Sequence, residues 1–342
     1  MTSERSWDSS PSIPSRRFQA LWVGIGVLVL PIGLVATALR VFSPTANITA
    51  LLASFTAYGT VAYTVSLLFF GIALVRARRR RVLAVLSAAS IGLLACHIVW
   101  LAPFFVPDHR PATTPPFTVM SLNMLGGSAD SGQVFRQAGT ADVVVLLEST
   151  PNALRRLEAL GWNQRFPYAV GNPGKTSTGS SIYSRFPLSD KFRLPATTFE
   201  QRAATATIPG LGQVRIMAVH PCNPFCGGSK WSAEHDLIRS TAAANMALPL
   251  MVAGDFNAVD DHLPLRQLRS DGLESATDIT GAGWLPTYPA NRLVPPMIPI
   301  DHILLNSRLT ATSISTFEVS GTDHLGLMAT IAGAGCATPE RC

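Results

Sequence analysis

The sequence predicts a chain in two parts, three membrane-spanning helices followed by an α/β domain built as a sandwich of two sheets. Three observations predict it. Long apolar segments without a single Asp, Glu, Lys or Arg occupy residues 20–39, 48–75 and 82–106. From residue 117 the pattern changes to many short apolar runs separated by Gly and Pro, with few helical periods among them. Several of these runs end in Asn, Glu, His or Asp, and the ends of strands are where open α/β sheets place their sites.

Taken in order, residues 1–17 are rich in Ser and Pro and lack an apolar period, so they read as a disordered tail. Residues 18–106 form the anchor, and each apolar segment meets the requirement of about 20 residues for a spanning helix. A signal peptide followed by buried helices is the alternative, but no small-residue cleavage site follows the first segment. Arg5, Arg16 and Arg17 precede the first span, only Arg40 lies between the first and second, and Arg76 and Arg78 to Arg81 crowd the next loop. Basic loops stay on the cytoplasmic side, so the N-terminus is expected inside and everything after residue 106 outside the plasma membrane. Residues 107–116 contain four prolines and read as a stiff spacer lifting the next domain off the bilayer. Within the third span, Cys96 and His97 read as helix packing before they read as a proton relay.

Charge divides along the same line. The chain has a formal net charge of +6, but residues 117–342 carry 17 basic and 18 acidic residues, a balance of −1. A protein that grips long nucleic acid shows a basic footprint, and this domain shows none overall. Cys222, Cys226, Cys336 and Cys342 form an even set in the exported part, as an oxidising compartment favours. Loop closure favours pairing 222 with 226 and 336 with 342; a zinc site is the alternative for the first pair.

Residues 117–332 are expected to hold strands near 117–123, 142–148, 179–184, 203–208, 214–220, 250–255, 300–306, 313–319 and 325–331, with helices near 131–138, 151–160 and 232–247, before a tail at 333–342. The stretch LMVAGDFNAV, residues 250–259, delivers Asp255 and Asn257 to a strand end. If the chain stays extended, residues two apart share a face and can converge on one ligand; an Asx turn is the bland alternative. A carboxylate beside an amide suits a hard cation or a phosphate with its attacking water. Asn123, Glu148, His220, the Asp301–His302 pair and the Asp323–His324 pair end or begin other runs. Any one alone reads as a satisfied buried polar group. Their recurrence at strand ends points to a site.

In order, VMSLNML, DVVVLLES, GSSIYSRFPL, MAVHP, VAGDFNA, IDHILL and TDHLGLMATI resemble the successive motifs of the endonuclease/exonuclease/phosphatase superfamily, which includes DNase I-like nucleases, neutral sphingomyelinases and inositol polyphosphate phosphatases. The resemblance implies a four-layer α/β/β/α sandwich, preceded here by the three transmembrane helices. It implies a Mg²⁺-dependent phosphoesterase, with Mn²⁺ as the substitute cation. By position, Glu148 is implied as the main metal ligand with Asn123 nearby and Asp323 adjoining, while Asp255 and Asn257 orient the attacking water and the phosphate. His324, held by Asp301, is implied to face the scissile phosphate as base or as cationic clamp, and His220 to protonate the leaving oxygen. His302 matches no catalytic position. Two departures stand out: Leu147 occupies a place where the superfamily often has Gln, and His220 runs into Pro221 and a Cys-bracketed loop.

The expected partners are the lipid bilayer and a phosphate ester near its surface, a lipid phosphate or a prenyl pyrophosphate; nucleic acid fits the charge balance less well. An exported nuclease and a catalytically dead scaffold or sensor are the alternatives, and the intact set of polar residues argues against the latter. Spans followed by an exported domain of this superfamily also resemble the plan of teicoplanin-resistance membrane proteins, which implies a role in glycopeptide response.

Overall fold

The computed structural model describes residues 16–76, 80–108 and 110–335. Residues 1–15 of the expected tail and the Cys336–Cys342 pair lie outside the described residues, while Arg16 and Arg17 open the first helix. Four helices precede the first strand: α1 (Arg16–Phe42), α2 (Asn47–Ala53), α3 (Gly59–Arg76) and α4 (Arg81–Leu101). Gln19–Phe42, Thr56–Val75 and Arg81–Phe104 are long and apolar enough to cross a membrane. The chain separates into two compact units, one holding Ala57–Val99 with the chain up to Ala38, the other joining Leu39–Thr56 to everything from Trp100 onward.

In the helical unit Phe70, Ala73 and Leu83 pack with Trp22, Val23 and Leu30. Thr37 Oγ1 lies 2.7 Å from the Tyr63 hydroxyl and 3.0 Å from His97 Nε2, so His97 serves helix packing, as expected. A Cβ at Gly59 would sit 2.4 Å from His97 Cε1, which is why a residue without one stands at this contact.

The apolar run at 48–75 is not one helix. Its first part folds separately as α2, whose Ala50 and Ala53 are buried while Ile48 and Leu52 stay exposed. Ala50 packs with Trp231, Ile238 and Leu265 of the second unit, to which these residues belong.

The second unit is a sandwich of two six-stranded sheets, as predicted. One sheet contains β1 (Phe117–Asn123), β2 (Val143–Leu147), β3 (Tyr168–Val170), β4 (Ser180–Ser184), β11 (Leu309–Phe317) and β12 (Gly326–Gly333), in the order β11-β12-β1-β2-β4-β3. The other contains β5 (Leu188–Arg193), β6 (Arg202–Ile208), β7 (Gly212–Val219), β8 (Leu250–Asp255), β9 (Leu273–Ser275) and β10 (Asp301–Asn306), in the order β5-β6-β7-β8-β10-β9. The period of two explains the layers. Val143, Val145 and Leu147 face the inter-sheet core with Ile216, Ala253 and Ile303. Val144 and Leu146 face outward into a cluster with Val134, Leu157 and Trp162, from helices α5 (Ser131–Gln137), α6 (Pro151–Glu158) and α7 (Trp162–Arg165). On the opposite face Leu250, Val252 and Leu304 pack with Trp231 and Ile238 of α8 (Gly228–Ala243) and Leu265 of α9 (Leu263–Ser270). Strands buried on both faces read as unbroken apolar runs, which is the pattern seen in the sequence.

Register brings the polar strand ends together. Parallel pairing of β1 with β2 sets Asn123 beside Leu147, one residue short of Glu148. Pairing of β7 with β8 sets Val219 beside Gly254, so His220 follows beside Asp255, while antiparallel pairing of β8 with β10 sets Asp255 against Asp301.

The proline-rich linker departs from expectation. It does not stand off as a spacer but runs along the sandwich: Thr113 N–H donates to Gly333 O (2.9 Å), Gly335 N–H to Pro111 O (2.9 Å) and Thr310 Oγ1 to Arg110 O (3.2 Å). Cys222 and Cys226 form the expected disulfide.

Candidate active site

Glu148 leaves β2 in a left-handed conformation, φ 52°, where a residue other than Gly, Asn or Asp is uncommon and costs on the order of 1–3 kcal/mol. That turn aims its carboxylate at the sheet edge. Asn123 Nδ2 donates to Glu148 Oε1 (3.2 Å) and to Asp255 Oδ2 (3.1 Å), and Gly126 N–H donates to Glu148 Oε2 (2.9 Å). The Asn123 carbonyl oxygen is occupied by Leu125 N–H (2.9 Å). Asn123 therefore ties two carboxylates together through its two N–H donors, while its side-chain oxygen accepts one hydrogen bond.

Asp255 and Asn257 both line the pocket, but not for the reason expected from the sequence. The chain is not extended there. Asn257 has φ 48° and its N–H donates to Asp255 Oδ1 (2.8 Å), an Asx turn in the backbone region that Asn tolerates best after Gly. Asn257 Nδ2 donates to Pro221 O (3.0 Å), which ties the turn to the segment after His220.

His324 Nδ1 donates to Asp301 Oδ2 at 2.8 Å, the expected pair. Its Nε2 lies 3.8 Å from Asp255 Oδ2 and 4.0 Å from Asp323 Oδ1. Burial opposes a charge on this ring, but Asp301 and Asp255 outweigh it, and its pKa is raised to about 10. His324 is an imidazolium at neutral pH. His220 goes the other way: burial dominates and lowers its pKa, although Asp255 pulls upward. Its Nε2 lies 3.5 Å from Asp255 Oδ2 and 3.8 Å from Glu148 Oε1. Asp255 is pushed upward by burial and by Asp301, against the pull of His324 and His220. His302 faces away, with Nε2 2.9 Å from Ala258 O and its ring edge-on to Phe256, a packing residue as expected.

Two groups of side chains could hold a divalent cation. Asp255, Asp301 and His324 offer atoms within 4.8 Å of one another, although the ring of His324 is bonded to Asp301 through Nδ1. Glu148 and Asp323 line the same pocket and offer carboxylate oxygens. Asp323 Oδ2 meets Arg292 at 3.3 Å, while its buried Oδ1 has no hydrogen-bond partner among the described residues. Oxygen donors from few carboxylates are what Mg²⁺ takes.

Four contributions carried no signal in the sequence. Phe199 stacks on His220 with ring centroids 4.3 Å apart and 10° between planes. Gln201 Oε1 accepts from His220 N–H (2.8 Å), and Glu234 accepts from Thr198 N–H (2.8 Å) and Cys222 N–H (2.9 Å), fixing the loops on either side. Tyr288 packs against His324, centroids 5.1 Å apart. Leu51 and Ser54, beyond the first span, line the same pocket.

The sequence profile of the Endonuclease/Exonuclease/phosphatase family matches residues 120–324. The chain belongs to this family. Its members are hydrolases that act on phosphodiester bonds, and the family generally uses divalent metals. Solved structures share the family fold at low identity. An endonuclease/exonuclease/phosphatase from Beutenbergia cavernae is 18% identical with a TM-score of 0.50, covering 64% of this chain and 72% of its own. A conserved protein from Enterococcus faecalis is 15% identical with a TM-score of 0.51, covering 63% and 99%. The human nocturnin catalytic domain is 17% identical with a TM-score of 0.50, covering 66% and 97%. Among curated proteins none matches the chain.

Proposed function

We propose that this family member is a membrane-anchored, Mg²⁺-dependent phosphoesterase. Its catalytic unit faces the outside of the cytoplasm and cleaves a phosphodiester or pyrophosphate of an envelope-associated substrate. The observation that carries the reading is the gathering of Glu148, His220, Asp255, Asp323 and His324, with Asp301 behind His324, from strand ends of both sheets around one pocket of about 260 Å³. Glu148 and Asp323 would hold a divalent cation, which would supply neutralisation of the charge that grows on the phosphoryl oxygens.

The protein's own groups divide the remaining work. His324, fixed by Asp301 at 2.8 Å and with its proton affinity raised by the carboxylates of Asp301 and Asp255, clamps a phosphoryl oxygen through Nε2–H. Asp255, between the two imidazoles, accepts the proton of the attacking water, and the raised affinity that burial gives it suits that task. The Asx turn of Asn257 holds the Asp255 carboxylate in place. Burial lowers the pKa of His220 and favours its neutral form without substrate, and its Nε2 lies 3.5 Å from Asp255 Oδ2. A phosphate anion beside it raises its proton affinity, and it then protonates the leaving oxygen as the P–O bond breaks.

The charge balance of −1 over residues 117–342 and the candidate spans support a substrate at the membrane rather than duplex DNA. A role in glycopeptide response is the physiological setting that the anchored plan favours. The test is a panel on the full chain in detergent: DNA, phospholipids and prenyl pyrophosphates, with Mg²⁺ and with EDTA. Turnover of a lipid phosphate that EDTA abolishes is expected, whereas cleavage of DNA alone replaces this reading with the nuclease. For orientation, alkaline phosphatase fused after Arg110 should be active; a silent phosphatase with a fluorescent protein at the same junction reverses the topology.

A further inference from the structure

The segment between the first two candidate spans is part of the catalytic unit. Leu39–Thr56 clusters with the sandwich and not with the helices. It is tied down along its length. Arg40 Nε meets Asp261 at 2.5 Å, and Thr56 Oγ1 donates to the same carboxylate. Asn47 Oδ1 accepts from Gly228 N–H (3.0 Å), and Ala50 O accepts from His262 Nε2–H (2.7 Å). Ala50 is fully buried among residues of α8, α9 and β8. A Cβ on Gly228 would sit 1.8 Å from Thr45 O, so the two backbones touch.

This docking puts Leu51 and Ser54 into the lining of the pocket that also holds Glu148, His220 and His324. Phe199, Phe225, Ile298 and Ile300 line the same pocket beside the polar Asn223, Asn257 and Tyr288, and none of the lining residues is Lys or Arg. Apolar side chains next to the phosphate-binding groups, without Lys or Arg among them, suit a phosphate head whose substituent is greasy, not one that continues as a polyanion. Size sharpens the point. About 260 Å³ is less than the roughly 300–1,000 Å³ of sites that enclose a drug-sized ligand, so the pocket holds a head and its first carbons while any longer tail runs out of it. Of the lining residues Phe225 is 71% exposed, an aromatic ring left in water. The wall itself leaves one candidate span at Phe42 and enters the next at Thr56, so chain continuity keeps it within a few residues of lipid.

We propose that Leu51, with Phe225 of the same pocket, is a specificity-determining wall that selects a phosphate ester or pyrophosphate carrying an apolar tail, presented from the bilayer. The proposal rests on the phosphoesterase reading above and names its substrate class by the tail. The tail comes from an isoprenyl or an acyl amphiphile; both share the chemistry that the wall recognises.

The experiment measures kcat/KM for the full chain in detergent with Mg²⁺ on two pairs that each keep one head group: dimethylallyl against farnesyl pyrophosphate, and dibutanoyl against dioctanoyl phosphatidylglycerol. In the pair that matches the source, the long member is favoured by at least about 10-fold, since added methylenes in an apolar pocket discriminate on that scale. Leu51→Ala and Phe225→Ser each shrink that ratio by about 3-fold or more. A ratio taken within one preparation does not depend on how much of the variant is folded, and Phe225 is exposed, so its replacement leaves the core intact. Turnover without tail preference, or a preference that neither substitution changes, overturns the wall while leaving the phosphoesterase reading in place. Absence of turnover on both pairs alongside cleavage of DNA overturns both.

Discussion

Acidification from pH 7 to pH 5 should loosen the docking of α2 on the sandwich, and His262 sets the size of the effect. Its Nδ1 accepts from Val259 N–H (3.0 Å) and its Nε2–H donates to Ala50 O (2.7 Å), so the folded chain fixes one neutral tautomer. Protonation would turn Nδ1 toward another donor with no acceptor between them. Burial is the main cause that pushes its pKa down to about 4, with His235, Arg266 and His302 adding to it, from 6.5 in an open chain. Between about 4 and 6.5 the unfolded chain binds more protons than the folded one, so stability rises with pH across that window. The contribution is complete above about 6.5, declines as pH falls and is gone below about 4. Each pH unit inside the window is about 1.4 kcal/mol, which gives a ceiling of about 3 kcal/mol and a loss of about 2 kcal/mol at pH 5. For a domain of this size that is a fall in Tm of about 4–8 °C.

Thermal unfolding of the full chain in detergent, at pH 7 and pH 5, should be compared with that of His262→Gln. Glutamine keeps one donor and one acceptor but does not titrate. Other buried histidines, His220 and His235, have depressed pKa values as well and contribute equally to both proteins. The difference between the two Tm shifts is therefore the quantity to read. Equal shifts in wild type and variant would refute the assignment of His262 as the neutral link between α2 and the sandwich.

Two further outcomes follow from the site. Glu148→Gln should remove metal-dependent turnover with the fold retained, because the amide keeps the shape but lacks the charge; circular dichroism with an initial-rate assay checks both, and full activity in the folded variant would discard Glu148 as the ligand. His324→Ala should cost at least about 10²-fold in kcat, and Asp301→Asn less, while the double variant should be no worse than His324→Ala, since residues acting as one unit are not additive. Strictly additive losses would mean that Asp301 acts apart from His324.

The polar strand ends were legible because two local constraints act together. A strand buried on both faces admits only apolar residues, so a run such as 143–147 must be apolar to its end, and the first polar residue marks where the sheet edge meets solvent or a site. Side chains reaching the site from loops left no such mark. Phe199 and Tyr288 are single aromatics in irregular segments, and only the tertiary path brings one onto His220 and the other onto His324. Asn257 lines the pocket through the Asx turn, the alternative that the sequence offers to an extended strand, because its left-handed backbone depends on the Asx bond and not on strand alternation. The linker misled for a chemical reason. Proline removes a donor but keeps its carbonyl, so a segment that cannot form a ladder of its own still accepts from a neighbour, as Pro111 O does from Gly335 N–H.

The run at 48–75 shows where hydropathy stops being informative. It counts apolar side chains without saying which solvent they leave. Ala50 and Ala53 leave water by packing under protein, whereas Ile48 and Leu52, on the same short helix, remain uncovered. Nothing in composition separates these two fates, because both need only small or apolar residues at helical spacing. The packing has a consequence for how the catalytic unit is bounded. A chain begun at residue 107 would leave His262 Nε2–H without Ala50 O, Asp261 without Arg40 and Thr56, and the pocket without Leu51 and Ser54. A buried donor stripped of its acceptor costs on the order of 1–3 kcal/mol, and the lost wall changes the shape presented to substrate. The compact unit that carries the pocket therefore includes Leu39–Thr56, ahead of the second candidate span, although the family motifs begin only at β1.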